Sequence, residues 1–176
     1  KSFKLKKNDP NSLFSNTVLR ITGNKKGKVY LLCTDGIAEF DLTTQRFKTL
    51  LQGNVDAIYY NEKLYIGKRE EVFVYNESTG NFDLYYHLAG KDITLSCLHL
   101  DDKKNLWMGT TGNGVYCLSE NKTVSQPITK GNITSIYEDS SKELWIGSWE
   151  EGLYHITTDG NIKNLRHDPQ NPNSLC

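Results

Sequence analysis

The sequence holds little of what several common architectures require. Among its 176 residues there are one methionine, four prolines and four cysteines. No run approaches the ~20 consecutive apolar residues that a membrane-spanning helix needs, and none of the marks of a signal peptide is seen. Basic and acidic residues number 21 each, so neither sign dominates. Nucleic-acid and membrane-surface binding draw on clustered basic charge and are not expected. The cysteines, Cys33, Cys97, Cys117 and Cys176, include no CxxC pair, and no histidine stands at metal-ligand spacing from them. Cys33, Cys97 and Cys117 fall in apolar strand-like runs, where a thiol acts as a small core residue; a disulfide or metal site is the alternative. The sequence opens at Lys1 without a methionine and is read as a segment of a longer protein.

Aromatics and glycine, by contrast, are plentiful: ten Tyr, six Phe, three Trp and 14 Gly. Large rings suit half-buried pleated surfaces and glycine suits the turns between them, which points to β structure. The rings also recur. Leu106-Trp107-Met108-Gly109-Thr110, then Gly114-Val115-Tyr116, matches Leu144-Trp145-Ile146-Gly147-Ser148, then Gly152-Leu153-Tyr154. Upstream, Asp102 aligns with Asp139 if the later turn is one residue longer. Leu64-Tyr65-Ile66-Gly67 with Val72-Phe73-Val74-Tyr75 is a third copy, and Val29-Tyr30-Leu31-Leu32 a more diverged fourth. The anchors Tyr30, Tyr65, Trp107 and Trp145 stand 35, 42 and 38 residues apart.

A period near ~40 fits four-stranded propeller blades and also paired-helix repeats. The interior of each copy decides between them. In the last copy, Ile133 to Glu138, Leu144 to Ser148, Leu153 to Thr157 and Ile162 to Leu165 read as strands. They are separated by Asp139-Ser140-Ser141-Lys142, Glu150-Glu151-Gly152 and Thr158-Asp159-Gly160-Asn161. No helical periodicity survives these breaks. The expected fold is an all-β propeller of four four-stranded antiparallel blades, part of a larger propeller. The blades span about 17–50, 54–86, 94–127 and 132–165. Residues 1–16 supply the outer strand of a preceding blade (Ser2-Phe3-Lys4-Leu5) and a link, and 166–176 a link onward. In such a stack Trp107 and Trp145 would be buried between blades. Gly109 and Gly147 would admit close backbone approach, and Asp102 and Asp139 would bond turn amides. Tyr30, Tyr65, Gly67, Gly114, Tyr116, Gly152 and Tyr154 complete this architectural set.

The stretch Ile133-Thr134-Ser135-Ile136-Tyr137-Glu138-Asp139, with Leu144-Trp145-Ile146-Gly147-Ser148 and Glu151-Gly152-Leu153-Tyr154, resembles the two-component regulator propeller repeat. The link His167-Asp168-Pro169-Gln170-Asn171-Pro172-Asn173-Ser174-Leu175 is similar to that family's, and recurs shortened as Asn8-Asp9-Pro10-Asn11-Ser12-Leu13. Two departures, Val72 where the family prefers glycine and Leu32 in place of the strand glycine, bear on blade-to-blade geometry. In that family the repeats build periplasmic sensor regions of hybrid two-component histidine kinases in polysaccharide-degrading bacteria. The resemblance therefore implies an extracytoplasmic, periplasmic region ahead of a membrane helix, with kinase, receiver and DNA-binding parts beyond it, and an oligosaccharide signal.

Within the segment, catalytic chemistry is sparse. His87, His99, His155 and His167 are scattered over the repeats, and no nucleophile elbow occurs. No catalytic residue, metal or cofactor is expected. Trp149, at a strand end beside a turn, and Tyr137 are the candidate ligand-binding residues, suited to stacking on a sugar ring. Glu70-Glu71 and Glu150-Glu151 are paired acids that could hold Ca²⁺ or sugar hydroxyls, or simply be solvated. Lys25-Lys26-Gly27-Lys28 and Lys68-Arg69 are basic turns able to meet an anionic sugar, or be solvated likewise. The reading is a ligand-sensing segment whose other partners are neighbouring blades and a membrane-linked kinase region. The rivals are a propeller-fold polysaccharide or streptogramin lyase and a passive protein-interaction scaffold. Apolar faces on the first and last blades imply that the segment self-associates.

Overall fold

A short alternating strand buries only one face, and a lone hairpin is marginal in water, so several strands and a second layer are needed. The computed structural model describes residues 3–6, 9–23, 27–89 and 92–175. Ser2, Asn8, Lys25, Lys26 and Cys176, which figure in the readings above, lie outside the described residues. The strands are β1 (Val18–Gly23), β2 (Lys28–Cys33), β3 (Gly36–Asp41), β4 (Arg46–Gln52), β5 (Ala57–Asn61), β6 (Lys63–Lys68), β7 (Glu71–Asn76) and β8 (Asn81–His87). They continue as β9 (Leu95–Leu100), β10 (Leu106–Thr110), β11 (Val115–Leu118), β12 (Ile133–Glu138), β13 (Leu144–Ser148), β14 (Gly152–Ile156) and β15 (Ile162–Leu165). No helix occurs among the described residues.

Each sheet is an antiparallel meander, ordered β1-β2-β3-β4, β5-β6-β7-β8, β9-β10-β11 and β12-β13-β14-β15. These are four propeller blades. The chain divides into two compact units, Lys1–Ala89 with the first two blades and Gly90–Cys176 with the last two.

In the first unit, Tyr30, Leu32 and Ile37 of the first blade pack with Val55, Ile58, Leu64, Ile66 and Tyr75 of the second. Leu32, which stands where the other blades carry glycine, is buried in this cluster, so its side chain supplies contact there. The other face of the first blade was expected to be open. Instead Leu13 and Phe14, from the segment before β1, pack with Cys33, Ala38, Phe40 and Phe47. The Phe3 ring also lies 4.8 Å from that of Phe40, centroid to centroid. Residues 3–6 form no strand.

In the second unit, Cys97, Trp107 and Val115 of the third blade share a core with Ile133, Leu144, Ile146, Tyr154 and Ile156 of the fourth. The third blade has three regular strands, not four. Its expected outer strand is reduced to a bridge between Leu118 and Val124, followed by a run carrying Pro127, which cannot donate to a ladder. Two hydroxyls substitute for ladder acceptors: the Cys117 amide donates to Ser125 Oγ at 2.9 Å and the Val115 amide to Thr129 Oγ1 at 3.2 Å.

Candidate functional site

The turn between the first two strands is built alike in the last two blades. The Asp101 carboxylate accepts from the Asn105 amide at 2.8 Å and from the Trp107 indole at 2.8 Å. The Asp139 carboxylate accepts from the Glu143 amide at 3.0 Å and from the Trp145 indole at 2.9 Å. These bonds hold the Asp139 carboxyl below its usual range, the indole contributing most. The counterpart of Asp139 is therefore Asp101 and not Asp102, and the two turns are equal in length. Counting back from the tryptophan would have found it, since both aspartates precede their ring by the same interval. Asp102 instead pairs with Lys142 at 3.5 Å, and its amide meets Glu138 Oε1 at 3.5 Å.

These groups rim a small cleft of about 160 Å³ between the third and fourth blades, lined by Asp102, Asn105, Trp107, Glu138 and Lys142 among others. Beside it His99 and Glu138 approach to 3.7 Å with both side chains largely buried. Burial pushes the His99 imidazole below its ordinary value, against the pull of Glu138 and Asp101. Lys142 pairs with Asp102 across the two blades here, and His99 faces Glu138, which is the chemistry of a joint.

At the opposite end of the fourth blade the Trp149 amide donates to the Asn132 carbonyl at 2.9 Å, as the Thr111 amide does to Thr94 at 2.8 Å in the third. Trp149 thus occupies a fixed backbone position, yet its side chain is 79% exposed. Glu151 next to it is held by an ion pair with Arg166, and its amide donates to Ser148 Oγ at 3.3 Å. The result is an indole presented to solvent from an anchored turn. Tyr137 is also exposed, at 64%, but it pairs with Trp145 near the far end of β12. The five residue steps from Asn132 to Tyr137 correspond to about 17 Å of strand. The two candidate residues do not form one site.

The remaining candidates are placed separately. Trp107 is buried in the blade interface. Trp145 is only half-buried, stacked on His155 at 4.0 Å, because it faces away from the third blade; the expectation of burial between blades does not hold for it. Tyr30 is buried and stacked on Tyr60, Tyr65 is buried edge-on to Tyr85, Tyr154 lies in the second core, and Tyr116 is half-buried. Gly67 pairs with Ala57 and Val72 in the second blade. Gly114 and Gly152 have φ of 73° and 79°. A Cβ on them would strike the carbonyls of Thr129 and Leu165 at 2.0 and 2.3 Å, so both positions need glycine. In the second blade Glu71, not Val72, stands at this register.

The histidines do not converge: His87 is near Glu71 at 3.7 Å, His155 binds Glu143 at 2.7 Å, and His167 meets the Leu175 carbonyl at 2.8 Å. Lys28 pairs with Glu39 at 3.3 Å. Cys33, Cys97 and Cys117 are free thiols, and burial, then Asp101, pushes Cys117 up to about 11. No cluster able to hold a metal ion occurs among the described residues.

Comparison with known proteins agrees with this architecture. Residues 127–150 match the family model described as two component regulator propeller. The fold is similar to the extracellular domain of a protein described as a hybrid two component system from Bacteroides thetaiotaomicron. The TM-score is 0.80 at 23% identity over 99% of this chain and 25% of that one. A second such extracellular domain from that organism gives a TM-score of 0.76 at 20% identity, over 95% of this chain and 24% of that one. Virginiamycin B lyase from Staphylococcus aureus gives 0.68 at 15% identity, over 85% and 55% of the two chains. The chain thus spans about a quarter of the length of the two extracellular domains. No curated protein matches the sequence. The match takes in the Asp139–Trp145 turn and the anchored Trp149, so residues 127–150 of the chain carry a two-component regulator propeller repeat.

Proposed function

We propose that the chain is part of an extracytoplasmic, periplasmic ligand-sensing propeller of a hybrid two-component sensor histidine kinase, and that its signal is an oligosaccharide. The repeat at residues 127–150 and the similarity of fold to extracellular domains of such systems support the first part. The observation that carries the second is the exposed indole of Trp149 on an anchored turn. The face of an aromatic ring complements the C–H face of a pyranose, and its fixed backbone lowers the ordering cost of binding. The carbonyl of Asn132 is already engaged by the Trp149 amide, which leaves side chains at this end of the blade to bond sugar hydroxyls. Ligand bound here shifts the placement of propeller units and biases a two-state, membrane-coupled equilibrium toward or away from phosphoryl transfer and transcriptional output.

The test is calorimetry of the sensor region containing this chain against a panel of neutral and anionic oligosaccharides. Trp149→Ala should weaken binding roughly tenfold, the scale of a lost aromatic contact. Unchanged affinity in the variant removes Trp149 from the site; absence of heat with every sugar removes the ligand class.

A further inference from the structure

Where an antiparallel ladder runs past the ends of its strands, the residues still paired across it project to one side. The turn after the second strand of a blade is such a place. In three blades its first amide donates to the carbonyl of the residue just ahead of the inner strand. Thr34 meets Thr17 at 3.4 Å, Thr111 meets Thr94 at 2.8 Å and Trp149 meets Asn132 at 2.9 Å. Each pair continues the register of its own strands, set by Val18 with Cys33, Leu95 with Thr110 and Ile133 with Ser148. Two of the blades close this position with a pair of threonines. The backbone bond therefore needs neither a ring nor an amide, and Trp149 and Asn132 are more than the fold requires there.

The register places the Asn132 and Trp149 side chains on the same side, with Cβ atoms about 5 Å apart. The indole is exposed. The Asn132 side chain is half-buried, and its amide has no hydrogen-bond partner among the described residues. Its other flank is the third blade. Gly112, in the turn after β10, is exposed with φ of 88°, and a Cβ built there would lie 4.0 Å from Asn132 Oδ1. The amide oxygen thus lies beside bare backbone, and a larger side chain at 112 would crowd it. The bridge between Asn113 and Gly131, and the Gly114 amide on the Gly131 carbonyl at 3.0 Å, fix this turn to the link that carries Asn132.

A side-chain amide offers acceptor and donor from one planar group. That suits two adjacent sugar hydroxyls, each able to give and to accept. The surrounding charges cancel: Glu151 is paired with Arg166, and the exposed neighbours Lys130 and Glu150 are opposite in sign.

We infer that Asn132 is the specificity-determining residue of the Trp149 site, and that this site is a slot shared by the third and fourth blades. It takes a neutral pyranose with two adjacent unsubstituted hydroxyls. The C–H face lies on the indole, and the hydroxyls meet Asn132 Oδ1 and Nδ2 beside Gly112. The inference rests on the saccharide reading of Trp149 and names the sugar class and the second blade that reading leaves open.

The test is calorimetry of the sensor region containing this chain with cellotetraose, xylotetraose, maltotetraose, chitotetraose and a sulfated glycosaminoglycan tetrasaccharide. The tightest binder should be one of the first three. In chitotetraose an acetamido group replaces one hydroxyl of each adjacent pair. Asn132→Thr recreates the threonine pair of the first and third blades. It should leave the Tm within about 2 °C and weaken the tightest sugar roughly tenfold. Gly112→Asn, a residue that tolerates positive φ, places a side chain beside the amide and should weaken it similarly. If Trp149→Ala weakens binding and Asn132→Thr does not, the aromatic contact stands and the slot is overturned. Tightest binding of the acetamido or the sulfated sugar overturns the ligand class. A Tm loss of about 5 °C or more in Asn132→Thr assigns the amide to the fold and overturns its role in specificity. Heat from none of the sugars removes the saccharide reading, and the inference with it.

Discussion

Asp101 and Asp139 each close a hairpin and hold an indole, so one carboxylate fixes both a turn and the orientation of the largest side chain in its blade. Asp101 is buried with its oxygens fully engaged. Its removal leaves an indole N–H and a turn amide without their acceptor, and Asp101→Ala should cost about 2–3 kcal/mol in urea unfolding. Asp102→Ala, which loses an exposed pair with Lys142, should cost less than about 1 kcal/mol. Equal costs would put the turn aspartate where sequence alignment first placed it. His99 gives the joint a pH dependence. Its folded pKa is lowered, chiefly by burial. The unfolded chain therefore takes up the proton first as pH falls below the ordinary imidazole value of about 6.5, and stability is lost with acidification. Glu138 faces it from β12 and Asp101 from its own turn, and both oppose this without reversing it. The Tm of the protein should fall more between pH 7.5 and 5.5 than that of His99→Asn; parallel falls would remove His99 as the cause.

The blade is the unit at which the tryptophans part company. Trp107 and Trp145 stand in the same strand position with the same aspartate bond, but one faces a blade and the other does not. Trp107→Ala should cost about 3–5 kcal/mol, the range for large-to-small changes in a core. Trp145→Ala should cost less, about 1–2 kcal/mol, since it gives up a stacked His155, one hydrogen bond and only partial burial. Chemical denaturation of both variants checks this, and equal losses would mean that Trp145 is covered in solution. The outer strand of the third blade shows why an element can be foreseen and still be missing. The repeat period placed a strand there, but Pro127 withholds a donor and Ser125 and Thr129 supply hydroxyl acceptors in place of carbonyls, so the edge is satisfied without a regular ladder.

At the scale of the molecule, the chain covers one face of the first blade with its own preceding segment and leaves apolar surface on the fourth. Leu13, Phe14 and Phe3 lie on the first blade, whereas Tyr137, Trp145 and Leu165 leave apolar surface on the fourth. Exposed faces of that kind associate, so the isolated chain should self-associate through the fourth blade. Light scattering should show a mass above that of the 20.0 kDa monomer, reduced by Trp145→Glu; a monomer at every concentration would overturn this. The sequence by itself determined the all-β class, the four meanders and their aromatic anchors. Period-two alternation, turn residues and a recurring ring are local properties, and each can be read without knowing what packs on it. Only the tertiary structure decided that Asp101 and not Asp102 holds the ring, that Trp107 is buried while Trp145 is only half-buried, and that Trp149 and Tyr137 sit at opposite ends of the fourth blade. Those outcomes depend on strand pairing and on which face meets a neighbour, and residues alike in sequence differ in environment as soon as one blade has a neighbour and the next does not.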